Sequence, residues 1–490
     1  MKNVIKASLI AIVISTSFSS CTKDFVDINT NPNQSAAVAP QSLIGPTIYK
    51  MVSANLDRNL RVNNEFMQVT VTTNENREFH RYSIRSSETE YMWRSWFLEL
   101  TNIRDMYQRA EQGLQPGYQT YQGISLILDA WTTSLLTDMY GDIPYFESNL
   151  GYKENNTTPY FDKQIDIYRD LFLKLERANA LLKENKKVED SYSNFDPLFA
   201  TNPEQWRKFG NSLYLRLLLR VSHKAELNPI VKLKEILESN TAEYPIMLSN
   251  DDSAVLRFQS QEPYINPFFN LRDIDFNGNK GYSEFFINNM LNLQDPRLKT
   301  WATEASLGVY GGMQSGYPKG SVPEVQSVFP TTLKGTALLG NIMNYAEVKF
   351  IIAELMEKDI IFGDSYTAYK EGVESSITLW GSTLPTDYFA NEYVAFLDSD
   401  NEEQRLKKIH LQKYLTLMFT DFQQWYEYRR TGLLDLYIGT DLENDGKMPI
   451  RLTYPLIVQS LNKKNYDDAV ARLGQDAINK SMWWQIGLTQ

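Results

Sequence analysis

The chain is poor in the residues that usually announce chemistry. Its 490 residues include one cysteine, Cys21, and three histidines, His80, His223 and His410. A lone cysteine excludes an internal disulfide framework. Histidines this far apart, without cysteine partners, argue against a zinc centre, and neither a metal nor another cofactor is expected. No apolar run reaches the roughly 20 residues that a membrane-spanning helix requires. Basic clusters are lacking too. The net charge is −11, and loss of Lys2 and Lys6 with a cleaved leader takes it to −13. Nucleic-acid binding rests on neutralising phosphates, so nucleic acid is not an expected partner. Serine-nucleophile elbows, H-E-x-x-H and glycine-rich phosphate loops are all missing. Acidic residues are abundant, but nothing in their spacing designates a hydrolytic pair.

What is present begins at the N-terminus, MKNVIKASLIAIVISTSFSSC. Two lysines precede an apolar run from Ala7 to about Phe18, and Ser19 and Ser20 lead into Cys21. A charged start, a short apolar segment and a small-residue exit describe a signal peptide over residues 1–20. The small-small-Cys exit resembles a bacterial lipobox, with Phe18 where an aliphatic residue is usual, and makes Cys21 the expected lipidation site. Residues 21–40 are polar and rich in Asn, Pro and Ala, the composition of a flexible tether.

From about residue 41 the pattern is helical. Apolar residues recur at steps of three and four over 87–113, 118–140, 161–185 and 203–225. Short links between such helices favour antiparallel hairpins. From 244 to 339 the chain changes to Gly, Pro, Asn and aromatic residues, read as an irregular insertion with a short helix at 283–293. Periodicity resumes at 341–358, 365–380 and 402–423. A C-terminal segment, 433–490, carries short helices near 456–461 and 466–473 and ends Trp-rich. The expectation is one mostly α-helical domain over 41–490, with hairpins over about 41–243 and 340–432. No strict 34-residue period can be aligned, so the periodicity alone supports a tetratricopeptide reading only in part.

Charges set among leucines need partners, because an isolated buried ion is costly. Arg216 and Arg220 share one helical face in LYLRLLLRV, and Glu347 and Glu354 lie on an otherwise apolar helix. Pairing of the two arginines with Glu347, Glu354 or Asp138 is expected. Asp138 and Asp142 also share a face, but a carboxylate pair before a Gly/Pro stop reads as a helix end rather than a metal site. Asp441, Glu443 and Asp445 open like a calcium loop, yet the closing acid would fall at Leu452. Trp93, Trp96, Trp131 and Trp206 sit in helical registers and are assigned to the core.

Several stretches together resemble the SusD/RagB nutrient-binding outer-membrane lipoproteins, closest to the SusD-like branch. They include Cys21-Thr-Lys23-Asp24-Phe25, LILDAWTTSLLTDMYGDIPY at 126–145, WRKFGNSLYLRLLLR at 206–220, DPRL at 295–298, YAEVKFIIAEL at 345–355, WYEYRRTG at 425–432 and IRLTYP at 450–455. The resemblance implies tetratricopeptide-like helix pairs carrying a loop-rich ligand-binding part. It implies a lipid-anchored protein on the outer membrane, facing the exterior, that captures glycans or peptides. It also implies a SusC-like TonB-dependent barrel as partner and no catalysis. The alternative is a helical-repeat lipoprotein that binds peptides or protein partners. No family ligand residue transfers to this chain. Sugar rings stack on aromatic faces, and their hydroxyls need polar clamps. On that ground the candidate ligand residues are Arg77, Arg81 and Tyr82 in one stretch, and Tyr264, Asn266, Arg272, Asp273, Tyr310 and Tyr317 in the irregular insertion.

Overall fold

The computed structural model describes residues 39–76 and 79–488. The signal peptide, the tether with Cys21, and Arg77 therefore lie outside the described residues. Helix α1 spans Gln41–Arg58 and runs on through a π-turn, Asn59–Asn63, into a last turn at Asn64–Phe66. Then follow α2 (Glu88–Glu111), α3 (Tyr118–Tyr140), α4 (Gln164–Lys183) and α5 (Pro203–Arg220). Each packs on the one before it, which gives the expected row of antiparallel hairpins. The later helices are α6 (Glu284–Asn292), α7 (Tyr345–Glu357), α8 (Ser365–Leu379), α9 (Glu402–Thr416), α10 (Gln423–Thr431) and α11 (Lys463–Leu473). The row continues through α5 against α7, with α8 and α9 both packed on α7. The protein is mostly α, with the tetratricopeptide-like arrangement expected of it.

Helix α3 is the centre of the row. From Thr120 to Tyr140 every residue but Leu126 is buried, polar ones such as Asp129 and Asp138 included, so the helix is surrounded on all sides. Two glycines permit the close approach of its neighbours. A Cβ on Gly123 would stand 2.6 Å from Leu182 of α4, and one on Gly210 of α5 would stand 2.7 Å from Ile127. Trp93, Trp96, Trp131 and Trp206 lie in the core, as their registers require.

Strands are few and short. Among the described residues they form three antiparallel pairs: β1 (Thr70–Thr72) with β5 (Lys280–Tyr282), β2 (Ile143–Pro144) with β3 (Phe161–Asp162), and β4 (Ala254–Val255) with β6 (Asn341–Met343). Two of these pairs, β1 with β5 and β4 with β6, fasten the irregular 244–340 stretch to the helical row.

Two helical expectations need correction. The pattern at 402–423 is not one helix. It breaks after Thr416, because Phe419 and Asp421 take positive φ and the buried Asp421 turns the chain into α10. The π-turn of α1 meets that break, Asn59 Nδ2 donating to the Asp421 carbonyl (2.6 Å) and Asn63 Nδ2 to Gln424 Oε1 (2.7 Å). The fourth helix stops at Arg220 rather than near 225, where a 3-10 turn, Ala225–Leu227, takes over.

Candidate functional site

A buried ionic ring ties the helices together. Arg216 Nε and Nη2 donate to the two carboxylate oxygens of Glu347 at 2.7 and 2.6 Å. Arg220, one turn on, donates to Asp138 of α3 (2.7 Å) and to Gln423 of α10 (2.8 Å). Tyr168 donates to the other Asp138 oxygen at 2.6 Å. Burial alone would lower the Arg220 pKa, but Asp138 and Glu427 outweigh it and raise it. Glu354 joins neither arginine named for it. Its partner is Arg430 of α10, whose Nη1 and Nη2 reach its oxygens at 2.7 and 2.6 Å, and Lys358 adds a third contact. Arg430 also meets Glu427, which receives Lys413 as well. Burial pushes the Glu354 carboxyl up, but Arg430, His410 and Lys358 hold it well below the ordinary carboxylate range. The expectation for Glu354 missed Arg430 because α5 faces the first turn of α7, while Glu354 sits two turns further on, opposite α10.

Among the described residues, Glu354, His410 and Glu427 are the one group placed as metal ligands could be. The guanidinium of Arg430 already occupies the space between the two carboxylates, so the group is a salt-bridge cluster. Asp138 and Asp142 also separate. Asp142 accepts from Arg472 (2.7 Å) and from the Gln164 amide (3.0 Å).

The ligand-sized space lies elsewhere. After α10 the chain forms a loop, 433–448, laid over two others. Glu443 N–H donates to the Arg81 carbonyl (2.8 Å), and Lys319 N–H donates to Asp441 (3.1 Å). Gly439 lies so close to Gly316 that a Cβ there would stand 2.5 Å from the Gly316 carbonyl oxygen. Beneath this loop is a cavity of about 530 Å³ lined by Tyr82, Tyr428, Tyr437, Ile438 and Met448, with Arg429, Asp435, Lys447, Asn479 and Ser481 as its polar groups. A second depression, of about 390 Å³, adjoins it at Leu434 and Asp435 and carries Tyr393, Phe285, Leu411 and Lys407. Both volumes fall in the range of small-molecule sites, which run from about 300 to 1,000 Å³.

Tyr82 has φ of 65°, a left-handed conformation that a bulky side chain rarely adopts and that marks sites where the surroundings dictate direction. Its hydroxyl pKa is raised, first by burial and then by Tyr428. Tyr437 is held from both ends. Gln68 Nε2 donates to its carbonyl (2.6 Å), its N–H donates to Gln68 Oε1 (3.0 Å), and Gln314 donates to its hydroxyl (2.5 Å). The ring is still 43 % exposed. Arg429 is stacked 4.0 Å over Trp425 and donates to the Asp138 carbonyl. Burial, against Tyr426 and Asp138, brings its pKa down to about 9, so it stays charged at neutral pH.

Of the candidate ligand residues, Tyr82 lines this cavity. Arg81 and Tyr317 are buried behind it. Arg81 Nη1 donates to the Tyr317 carbonyl (2.9 Å), and His80, stacked on Tyr317, accepts from Gly316 N–H (3.1 Å). Asn266 is buried too, bonded to Thr336 and Phe268. All three fasten distant segments to one another, Arg81 to Tyr317, Tyr317 to Thr72 and Asn266 to Thr336, which is the work of loop anchors. Tyr264 packs on Tyr49, Arg272 pairs with Asp275, and Asp273 pairs with Lys334. Tyr264, Arg272, Asp273 and Tyr310 line neither depression. Gln68, Tyr428 and Tyr437 were missed. The sequence signal for Tyr428 lies in WYEYRRTG, where three aromatics precede two adjacent arginines; Gln68 offers none.

The model of a family described as starch-binding and associating with the outer membrane matches residues 32–455. The chain belongs to the SusD-like family. Solved SusD homologues share the fold across nearly the whole molecule. A chitin-binding one from Flavobacterium johnsoniae is 19 % identical, with a TM-score of 0.79 over 91 % of this chain and 99 % of that one. One from Bacteroides fragilis is 22 % identical, with a TM-score of 0.77 over 92 % and 99 %. A SusD-like protein from Bacteroides thetaiotaomicron is 19 % identical, with a TM-score of 0.76 over 91 % and 98 %. A sequence search of curated proteins found no match. The SusD-like scaffold here has, among its described residues, no helix long and apolar enough to cross a membrane.

Proposed function

We propose that this SusD-like protein is an outer-membrane lipoprotein, anchored through Cys21 and facing the exterior. In this reading it binds oligosaccharides without chemical change and passes them to a SusC-like TonB-dependent barrel. The observation that carries the binding role is the cavity under the 433–448 loop, where Tyr82, Tyr428 and Tyr437 converge with Arg429, Asn479 and Ser481. Tyrosine rings offer apolar faces for the C–H side of a sugar, and the polar groups suit its hydroxyls. The family description and the chitin-binding neighbour point the same way. The test is titration of the protein with oligosaccharides. Saturable binding weakened by Tyr437→Ala is expected, and a protein that binds peptides alone would overturn the glycan reading. For the anchor, Cys21→Ala should move the protein out of the membrane fraction, since stable attachment needs several acyl chains on that residue. A Cys21→Ala protein that stays membrane-bound removes the lipoprotein reading.

A further inference from the structure

On the reading that the Tyr437 cavity holds a glycan, we infer that its ligand is an uncharged, extended oligosaccharide that crosses the Leu434–Asp435 wall into the Tyr393 depression. Those two residues line both spaces, so the spaces adjoin there. Each space presents one exposed aromatic platform, Tyr437 at 43 % and Tyr393 at 50 % exposure. Apolar floor continues on the far side through Phe285, Leu411 and Leu433. Two platforms in adjoining spaces suit a chain that repeats the same apolar face, not a single ring.

The charges decide which chain. In the second depression Lys408 is paired with Asp400 at 2.7 Å and Lys407 with Asp435 at 3.1 Å. In the first, Arg429 is committed to backbone carbonyls and to Trp425. What remains is one residue of each sign, Lys447 and Glu392. A uronate or sulfate polymer would give up its hydration here without a matching excess of positive charge. A peptide is disfavoured on different grounds. The backbone pairing that holds many extended peptides, a strand added to an open sheet edge, has no place here, because the described strands are two or three residues long and lie outside both depressions.

The test is a glycan array of neutral and uronic-acid oligosaccharides in length series, with a peptide array beside it, read against wild type, Tyr437→Ala and Tyr393→Ala. Both substituted tyrosines are exposed, and the length dependence of the wild type is a readout that needs no variant. Within the neutral series, an octasaccharide should bind at least about tenfold tighter than its disaccharide. Tyr393→Ala should remove most of that gain. A length-independent affinity, a Tyr393→Ala protein with its gain intact, or a preference for the acidic series overturns this inference and leaves the glycan reading standing. Silence across every glycan, or capture of peptides instead, overturns both.

Discussion

At the scale of single residues, the chain concentrates its cost in a few buried charges. Arg430 neutralises both Glu354 and Glu427, and all three are buried. Removing it leaves two carboxylates without their main partner. Arg430→Ala should destabilise the fold by about 3–5 kcal/mol in denaturant unfolding. A loss below about 1 kcal/mol, the worth of a surface pair, would show the ring to be dispensable. His80 makes a pH prediction. Burial, then the neighbouring Arg81, brings its pKa down from 6.5 to about 3. Below 6.5 the unfolded chain takes up a proton that the folded chain refuses until about 3. The stability tied to neutral His80 is thus fully present above pH 6.5 and drains away as pH falls through that window, by up to about 1.4 kcal/mol per pH unit. Glu354, held low by its cations, and Asp129, lowered to about 2 as Lys174 and Arg104 outweigh its burial, add acid lability in the same direction further down. His80→Gln should flatten the slope of unfolding free energy between about pH 6 and pH 4 by close to one proton. An unchanged slope would place the proton elsewhere.

At the scale of elements, close packing and loop fastening carry separate loads. Gly210 lets α5 lie against Ile127 of α3, so Gly210→Val should cost about 1–3 kcal/mol by overpacking, measured by thermal melting. Gln68 acts at a distance from any sugar by gripping the Tyr437 backbone. Gln68→Ala should weaken glycan binding several-fold. In a double-mutant cycle with Tyr437→Ala the two losses should not add, because both act through one ring. Additive losses would mean that Gln68 serves the fold alone. The elements were legible in the sequence where period decides them. The span 118–140 is the observed α3, because its large apolar residues recur at steps of three and four and Gly141 and Pro144 stop it. The break at Thr416 was not legible. It depends on Asp421 meeting Asn59, more than three hundred residues away. The candidate site was legible only at Tyr82. Its cavity is assembled from loops brought together by backbone contacts such as Glu443 to Arg81, and backbone contacts leave no residue-type signature.

At the scale of the whole molecule, residues Pro40–Gln490 form one unit with one dominant core cluster reaching from Ile44 to Trp484, beside a small second cluster of Val71, Met313 and Tyr317. Calorimetry of the protein should therefore show one unfolding transition. Two resolved transitions would mean that the irregular 244–340 stretch melts on its own. The ionic ring has a consequence for descent. Its members sit on α3, α5, α7, α9 and α10, and several share partners, Glu427 meeting Arg220, Lys413 and Arg430. A change at any one disturbs buried charges that share partners, so a lineage can alter the set only with compensating changes, whereas the platforms Tyr393 and Tyr437 are exposed and can change one residue at a time. Such a molecule can be refitted to a new ligand while its frame stands still.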